Sequence, residues 1–169
     1  MSDTTTATEA LPIVERSRVS VVPAPGRTKL VTVPVDGGPV PMGVHGPVAE
    51  HYRVPMDQVE PHATTLDYVV GAATGCLAGT FGGMLGALGQ PVTDGALVAE
   101  GEGEIVDDGG VLRIARITVR YRLRLAHGVD EAKVRRAHDR HTQRCPVARS
   151  LAGGIPIHTR LDLGEAAAE

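Results

Sequence analysis

The sequence predicts an α+β fold in which one long helix is covered by β-sheets. Residues 64–90 carry no charged side chain except Asp67, which is typical of a helix in the protein interior. Apolar and polar residues alternate through residues 111–125, which indicates a strand with one buried face. Short apolar runs lie before the helix, and further strands and a second helix follow it, so helices and strands do not alternate regularly.

Composition limits the class of protein. The chain has 169 residues, enough for one domain with a real core, which we place at residues 13–163 between tails at 1–12 and 164–169. The formal net charge is −3, so we expect no nucleic-acid partner. The N-terminus is polar and lacks a basic region before an apolar run, which is not the pattern of a signal peptide. We therefore expect a cytoplasmic protein.

The segment before the long helix predicts a small sheet. Residues 13–22 and 29–35 both have the composition of strands, and Pro34 suggests that the second is an edge strand. Asp36-Gly37-Gly38 is a hairpin signal, and a short strand is expected at residues 40–44. Residues 45–62 are punctuated by prolines and predict an irregular polar loop. Such a loop could form the rim of an active site or could simply be solvated.

The long helix has clear boundary signals. Thr64 or Thr65 can cap its N-terminus, Asp67 suits its first turn, and Gly89 and Pro91 mark its end. Its apolar residues surround the axis, so the helix is either buried or membrane-spanning. Bulky apolar residues are few, and no aromatic or basic cluster flanks the segment, which favours burial over a membrane span. A row of glycines would allow another backbone to approach closely: Gly71, Gly75, Gly79 and Gly83.

The remaining segments predict two strands, a helix and a closing strand. Residues 96–106 and 111–125 should pair through a turn at 107–110, with a β-bulge near Ala115-Arg116 where the alternation changes phase. The arginine row on the second strand could face nucleic acid or water, and the acidic pI of about 6.2 favours water. Residues 130–144 predict an amphipathic helix and residues 155–163 a last strand. The helix should bury Val134, Ala137 and His141.

Two cysteines are the candidate chemical groups. Cys76 lies near the middle of the long helix, where a cysteine is often only a small core residue. Cys145 precedes Pro146 and should cap a short helix, whose dipole lowers a thiol pKa. In a cytosolic protein, a disulfide between them would more often be transient and redox-active than structural. A zinc site is the alternative use of Cys145, with His138, His141 and, as a guess, His158.

The cysteine motifs AATGCLAGT, around Cys76, and RCPVARSL, around Cys145, resemble the OsmC/Ohr family of osmotically inducible and organic-hydroperoxide-resistance proteins. The resemblance covers about residues 13–163. It implies an OsmC-like fold in which two chains interlock as a homodimer, with the central helices inside and the sheets around them. It also implies an oxidative-stress defence enzyme without a cofactor or a membrane partner, which reduces organic hydroperoxides with electrons from a small dithiol or a thioredoxin-like protein.

The resemblance implies a role for each cysteine. Cys76 would attack the peroxide and become a sulfenic acid, and Cys145 would resolve it as a disulfide. The hydroperoxide-resistance branch adds an Arg from an N-terminal strand or loop and a Glu ten residues before the first cysteine, where this chain has Leu66. The candidates for these two roles are Arg27 or Arg53 and Asp67 or Glu60. Because that Glu is missing, a non-catalytic OsmC-like dimer that binds a small apolar ligand is the alternative.

Overall fold

The computed structural model describes residues 11–35, 37–55, 57 and 60–165. They form two three-stranded sheets, and a long helix lies against the second of them. This is the predicted α+β class. The elements are β1 (Ser20–Pro23), β2 (Lys29–Thr32), β3 (Val40–Met42), α1 (Gly46–His51), α2 (Thr65–Gly86), β4 (Leu97–Asp108), β5 (Val111–Leu125), α3 (Glu131–His141), a 3-10 turn (Thr142–Arg144), α4 (Pro146–Leu151) and β6 (Ile157–Glu165).

The N-terminal sheet is antiparallel, in the order β1-β2-β3. The strand predicted at 13–22 is reduced to its last residues, because Ile13 and Val14 are 66% and 97% exposed and pair with no neighbouring strand. The edge assignment from Pro34 is wrong: β2 is the central strand and ends before that proline. β2 and β3 form the predicted antiparallel pair, although Asp36 of the hairpin signal lies outside the described residues.

The predicted irregular segment 45–62 contains the short helix α1. Pro47 occupies its first turn, where the missing N–H is not needed and the fixed φ favours a helix. Prolines predict a break in regular structure, but a proline in the first turn is compatible with a helix, so α1 corrects the prediction of a wholly irregular segment.

α2 begins with a capping box. The Thr64 hydroxyl accepts a hydrogen bond from the Asp67 amide, and the Asp67 carboxylate accepts one from the Thr64 amide, at 3.1 and 2.6 Å. The helix buries one stripe, Ala73, Leu77, Phe81 and Leu85, against the C-terminal sheet and α3. Its glycine row is exposed, so the predicted burial on all sides does not occur within one chain. Of the described helices, α2 has the length and composition for a membrane span, but a core helix meets the same criterion.

The C-terminal sheet has the order β4-β5-β6. β4 and β5 form a hairpin through Gly109-Gly110, whose φ angles of 66° and 89° suit a two-residue turn. The predicted bulge is confirmed: Glu104 pairs with Arg116 and Ile105 with Ile114, which leaves Ala115 unpaired. β6 pairs with β5 in parallel, and α3 and α4 form the crossover between them.

The two faces of β5 differ as predicted. Ile117, Val119, Tyr121 and Leu123 are buried against the helices. On the other face, arginines of β5 pair with glutamates of β4, which is the pattern of a solvated sheet surface. The pairs are Arg116–Glu104 at 2.6 Å, Arg120–Glu102 at 3.5 Å and Arg122–Glu100 at 2.8 Å.

Two glycines of β4 let the sheet approach α2. A Cβ added at Gly101 would lie 1.9 Å from Thr74 Oγ1, and one added at Gly103 would lie 2.5 Å from Val70 Cγ2. The Thr74 hydroxyl is held by its hydrogen bond to the Val70 carbonyl, at 2.8 Å. The close backbone contact that we expected from the helix glycines therefore depends, within the chain, on glycines of the strand.

Gly101→Ala should destabilise the fold, because either Thr74 or the strand must move to admit the new methyl group. We expect the free energy of unfolding to fall by about 1–3 kcal/mol. Gly164→Ala is the matched control, because a Cβ at this β6 position meets nothing within 4 Å. Urea denaturation of the two variants checks the difference, and equal midpoints would contradict the packing account.

Candidate active site

The fold brings the two cysteines together. Cys76 lies on α2 and Cys145 at the start of α4, and both are free thiols. Cys145 is fully buried, Cys76 is half-buried, and both belong to one apolar cluster. Cys76 is close enough to Cys145 to raise the pKa of its thiol. The structure thus forms a dithiol pair from residues on two different helices.

Cys145 caps α4 as predicted, but the expected effect on its thiol is reversed. The Ala148 amide donates a hydrogen bond to Cys145 Sγ at 3.5 Å. Burial raises the pKa of the Cys145 thiol, and the neighbouring Cys76 raises it further. The hydrogen bond from the Ala148 amide and the Thr80 side chain lower this pKa, but by less than burial and Cys76 together raise it. Desolvation therefore outweighs the dipole of a helix with only six residues.

Thr80 is a site residue that the sequence analysis missed. Its hydroxyl donates to the Cys76 carbonyl at 2.9 Å, one helical turn back, and its side chain also reaches Cys145. The i, i+4 spacing from Cys76 could have indicated this position.

A buried Tyr–His pair is the other missed feature. Tyr121 on β5 and His141 at the end of α3 are both 0% exposed, and Tyr121 Oη lies 2.9 Å from His141 Nε2. Their rings pack against those of Phe81 and His138 in tilted and edge-to-face contacts. Tyr121 and His141 both lie on faces that the sequence pattern predicts to be apolar and buried. A polar side chain on such a face is a signal, in the sequence alone, for a buried hydrogen-bonded pair.

The zinc alternative does not fit this geometry. His141 directs Nε2 at Tyr121 and Nδ1 at the His138 carbonyl, so neither nitrogen is free for a metal. His158 lies on the exposed face of β6. Within residues 11–35, 37–55, 57 and 60–165, no group of three or more His, Cys, Asp or Glu is placed to bind an ion.

The predicted activating arginines lie at the N-terminal end of α2. Arg27 sits in the β1–β2 turn with φ 63°, and its guanidinium is 5.6 Å from the centre of the Tyr52 ring. Arg53 follows α1, is exposed, and has φ 53°. Arg27, Tyr52 and Leu66 line a cavity of about 580 Å³. Leu66 is ten residues before Cys76, about 15 Å along the helix, so this cavity and the dithiol are separate within one chain.

The carboxylate candidates are also distant from Cys76. Glu60 is exposed and lies 3.9 Å from His62. Asp67 is used in the capping box and in a hydrogen bond with His45, 2.8 Å away. Burial alone would raise the pKa of Asp67, but hydrogen bonds from His45 and Thr64 together hold this pKa below its usual value. Asp67 therefore organises the start of α2.

Asp67→Asn should make the protein less stable in a pH-dependent way. Because the pKa of Asp67 is lowered in the folded state, its stabilisation is present above the unfolded pKa of about 3.9 and is lost as pH falls through the folded pKa. The carboxylate is 39% exposed, so we expect at most about 1 kcal/mol at pH 7. Denaturation at pH 7 and below pH 4 checks this. A difference between wild type and variant that persists unchanged in acid would contradict it.

Comparison with known proteins agrees with this fold. The family model described as OsmC-like protein matches residues 59–160, more than half of the chain. No curated protein matches the sequence with statistical significance.

Solved structures are similar over nearly the whole chain. An OsmC-like protein from Mycoplasma pneumoniae has a TM-score of 0.68 at 14% identity, covering 89% of this chain and 99% of its own. The organic hydroperoxide resistance protein OhrB of Bacillus subtilis has a TM-score of 0.62 at 13% identity, with 89% and 100% covered. An organic hydroperoxide resistance protein from Elizabethkingia anophelis, with thiocyanate bound, has a TM-score of 0.66 at 12% identity, with 91% and 100% covered. Since the family model spans both cysteines and the fold is shared, the chain belongs to the OsmC-like protein family.

Proposed function

We propose that the chain is a thiol peroxidase that reduces organic hydroperoxides through Cys76 and Cys145. The observation that supports this most is the pairing of two free thiols, with 68 residues between them in sequence, in one largely apolar cluster. An apolar surround suits an organic peroxide and protects a sulfenic acid from water. Relatives of the same fold are named organic hydroperoxide resistance proteins.

The reaction has three steps. The Cys76 thiolate attacks the terminal peroxide oxygen, the O–O bond breaks, and the products are a Cys76 sulfenic acid and an alcohol. The Cys145 sulfur then attacks the Cys76 sulfur, and the hydroxyl leaves as water as the disulfide forms. A small dithiol or a thioredoxin-like protein reduces the disulfide by thiol–disulfide exchange. Such a cycle requires a reducing compartment, and a cytoplasmic location is part of this proposal.

Two exposed surfaces of the chain should be covered by a second copy. Much of one face of α2 is exposed, with Tyr68 and a row of glycines. In the N-terminal sheet all four residues of β1 are exposed. We propose a homodimer in which these surfaces are covered by the partner.

In the proposed dimer, the second copy would also supply the group that activates Cys76. A thiolate in a low-dielectric position needs a cation or a hydrogen-bond donor nearby. The arginine candidates of the same chain lie near the far end of α2, as described above. We therefore propose that Arg27 from the second copy approaches Cys76, with Arg53 as the rival.

The alternative is a non-catalytic dimer that binds a small apolar molecule. The cavity of about 580 Å³ favours it, because Val44, Val48 and Leu66 form part of its wall. It would need no chemistry at Cys76.

Counting free thiols distinguishes the peroxidase from the non-catalytic dimer. The reduced protein is treated with cumene hydroperoxide or hydrogen peroxide, and free thiols are then measured. A peroxidase should lose two thiols per chain, faster with cumene hydroperoxide. If the thiols react no faster than free cysteine, the binding function replaces the peroxidase.

A further inference from the structure

A groove between α2 and α3 carries a row of positive charges. Its volume is about 320 Å³, and its floor is apolar, formed by Met84, Ala87, Leu88 and Ala137. Four exposed basic side chains line it: Lys133, Arg136 and Arg140 of α3 and Arg144 of the 3-10 turn that follows. No carboxylate of the described residues lines this basic groove.

The chain does not neutralise these four charges. The arginines of β5 pair with glutamates of β4, and Arg135 of α3 pairs with Glu131 at 2.7 Å. The four cations of the basic groove form no such ion pair with any carboxylate in the part of the chain that the structure describes. The formal net charge of the whole chain is −3, so this groove is a local exception that attracts anions.

The stability of α3 does not account for the row. Arg140 lies in the last turn, where a cation interacts favourably with the helix dipole. Lys133 lies in the first turn, where the dipole favours an anion. The cations therefore follow the groove along its whole length, and not the end of the helix at which the dipole would place them.

The basic groove lies beside the dithiol. Arg144 immediately precedes Cys145. On α2, Cys76, Thr80 and Met84 are spaced four residues apart and so follow one side of the helix. Thr80 reaches Cys145, and Met84 is about 12 Å from Cys76 along the axis. A protein docked in the groove would therefore have the half-buried Cys76 within reach.

The groove and the proposed dimer surface are on different sides of α2. Gly79 and Gly83 each precede Thr80 and Met84 by one residue, which is about 100° around the helix axis. A second copy that covers the glycine row would leave the side of α2 that borders α3 open to another partner.

We propose that the basic groove docks an acidic face of the dithiol protein that reduces the Cys76–Cys145 disulfide. This inference rests on the peroxidase function proposed above. A thiolate of the partner bonds to the Cys76 sulfur, because Cys145 is fully buried, and Cys145 leaves and takes up a proton. The second thiol of the partner then displaces Cys76. The partner leaves as a disulfide, and its two electrons have passed to the chain.

The extent of the row favours a protein over a small anion. Lys133, Arg136 and Arg140 span about 10 Å along α3, and Arg144 continues the row. The single carboxylate of a small molecule would contact one or two of these cations, whereas acidic side chains on a protein surface can contact all four. Exposed charge pairs add little affinity individually, so their main effect should be faster association at low salt.

The experiment measures reduction of the disulfide without any peroxide. The Cys76–Cys145 disulfide is formed with diamide and then reduced either by a thioredoxin of net negative charge or by dithiothreitol, which is uncharged. Loss of the disulfide is followed in about 0.01 M and about 0.15 M salt, where screening lengths are about 30 and 8 Å.

The test variant is Lys133→Glu with Arg136→Glu. Both positions are exposed, and a glutamate at 133 suits the first turn of α3, so the fold should tolerate the change. Arg113→Glu with Arg122→Glu is the matched control. It changes the net charge equally on exposed arginines of β5.

The docking surface predicts a loss that is specific to the protein reductant. At low salt, thioredoxin should reduce the test variant about tenfold more slowly than the wild type. The difference should shrink at the higher salt concentration, and the control should behave as the wild type does. Dithiothreitol should reduce all three proteins at one rate.

Three outcomes would overturn the docking surface. Equal rates with thioredoxin would show that the cations play no part in reduction. A test variant that is equally slow with dithiothreitol would have an altered disulfide and not a lost docking site. If octanoate at equimolar concentration blocks reduction by thioredoxin in the wild type but not in the test variant, the groove holds a small amphipathic anion instead.

The peroxidase proposal fails separately. If the thiols ignore cumene hydroperoxide while reduction of the diamide-formed disulfide still depends on the groove charges, the docking surface stands and serves a disulfide of another origin. If diamide forms no disulfide between Cys76 and Cys145, both proposals are wrong.

Discussion

Cys76→Ser should abolish the consumption of cumene hydroperoxide. Serine preserves the size of the side chain but is a far weaker nucleophile, because its hydroxyl is not ionised near neutral pH. Since Cys145 is fully buried and its thiol pKa is raised, it should not replace Cys76 as the attacking group. We expect the rate with the reduced variant to fall to that of free cysteine, measured as peroxide remaining over time.

Cys145→Ser is the matched variant and should behave differently. Cys76 still reacts once, and the sulfenic acid accumulates because no resolving thiol is present. Dimedone should label Cys76 at about one equivalent per chain, detected by mass spectrometry. If dimedone labels Cys145 in the Cys76→Ser protein instead, the two roles are reversed.

Gly79→Leu should break the proposed homodimer. A Cβ at Gly79 meets nothing within 4 Å in the single chain, so the substitution leaves the chain's own packing intact. In a dimer that covers this face of α2, the leucine would separate the two backbones and cost at least about 1–3 kcal/mol. Analytical ultracentrifugation should find a dimer for the wild type and a larger monomer fraction for the variant.

The control for Gly79→Leu is Ala132→Leu, which adds the same kind of side chain to the exposed surface of α3. It should sediment as the wild type does. A stably folded wild-type monomer at micromolar concentration would contradict the proposed assembly, and Cys76 would then need an activating group from its own chain.

The sequence predicted the C-terminal sheet and the helices around it well, because their signals are local. Alternation with a phase change located β5 and its bulge, and Thr64 with Asp67 located the start of α2. The N-terminal strands were predicted less well. Residues 13–22 were predicted as one strand, but the strand begins only at Ser20, where a pairing partner begins.

The candidate site was predicted in part. The two motifs identified Cys76 and Cys145, but the raised pKa of Cys145 depends on long-range burial, which no local pattern reports. Tyr121 and His141 are 20 residues apart in sequence and come together only because β5 and α3 contribute side chains to one buried cluster. In the proposed dimer, the arginine that approaches Cys76 would be placed by packing between two chains, which no local pattern in the sequence reports.

The parallel pairing of β6 with β5 affects how the protein folds during synthesis. Ile117 is aligned with Ile157, so this edge of the sheet cannot form until the last strand has left the ribosome. Both cysteines are translated before that strand. For a short time the nascent chain therefore carries both reactive thiols without the strand that closes the sheet, and contacts of such high sequence separation form slowly. A reducing environment during translation would protect the chain from premature disulfides in this interval.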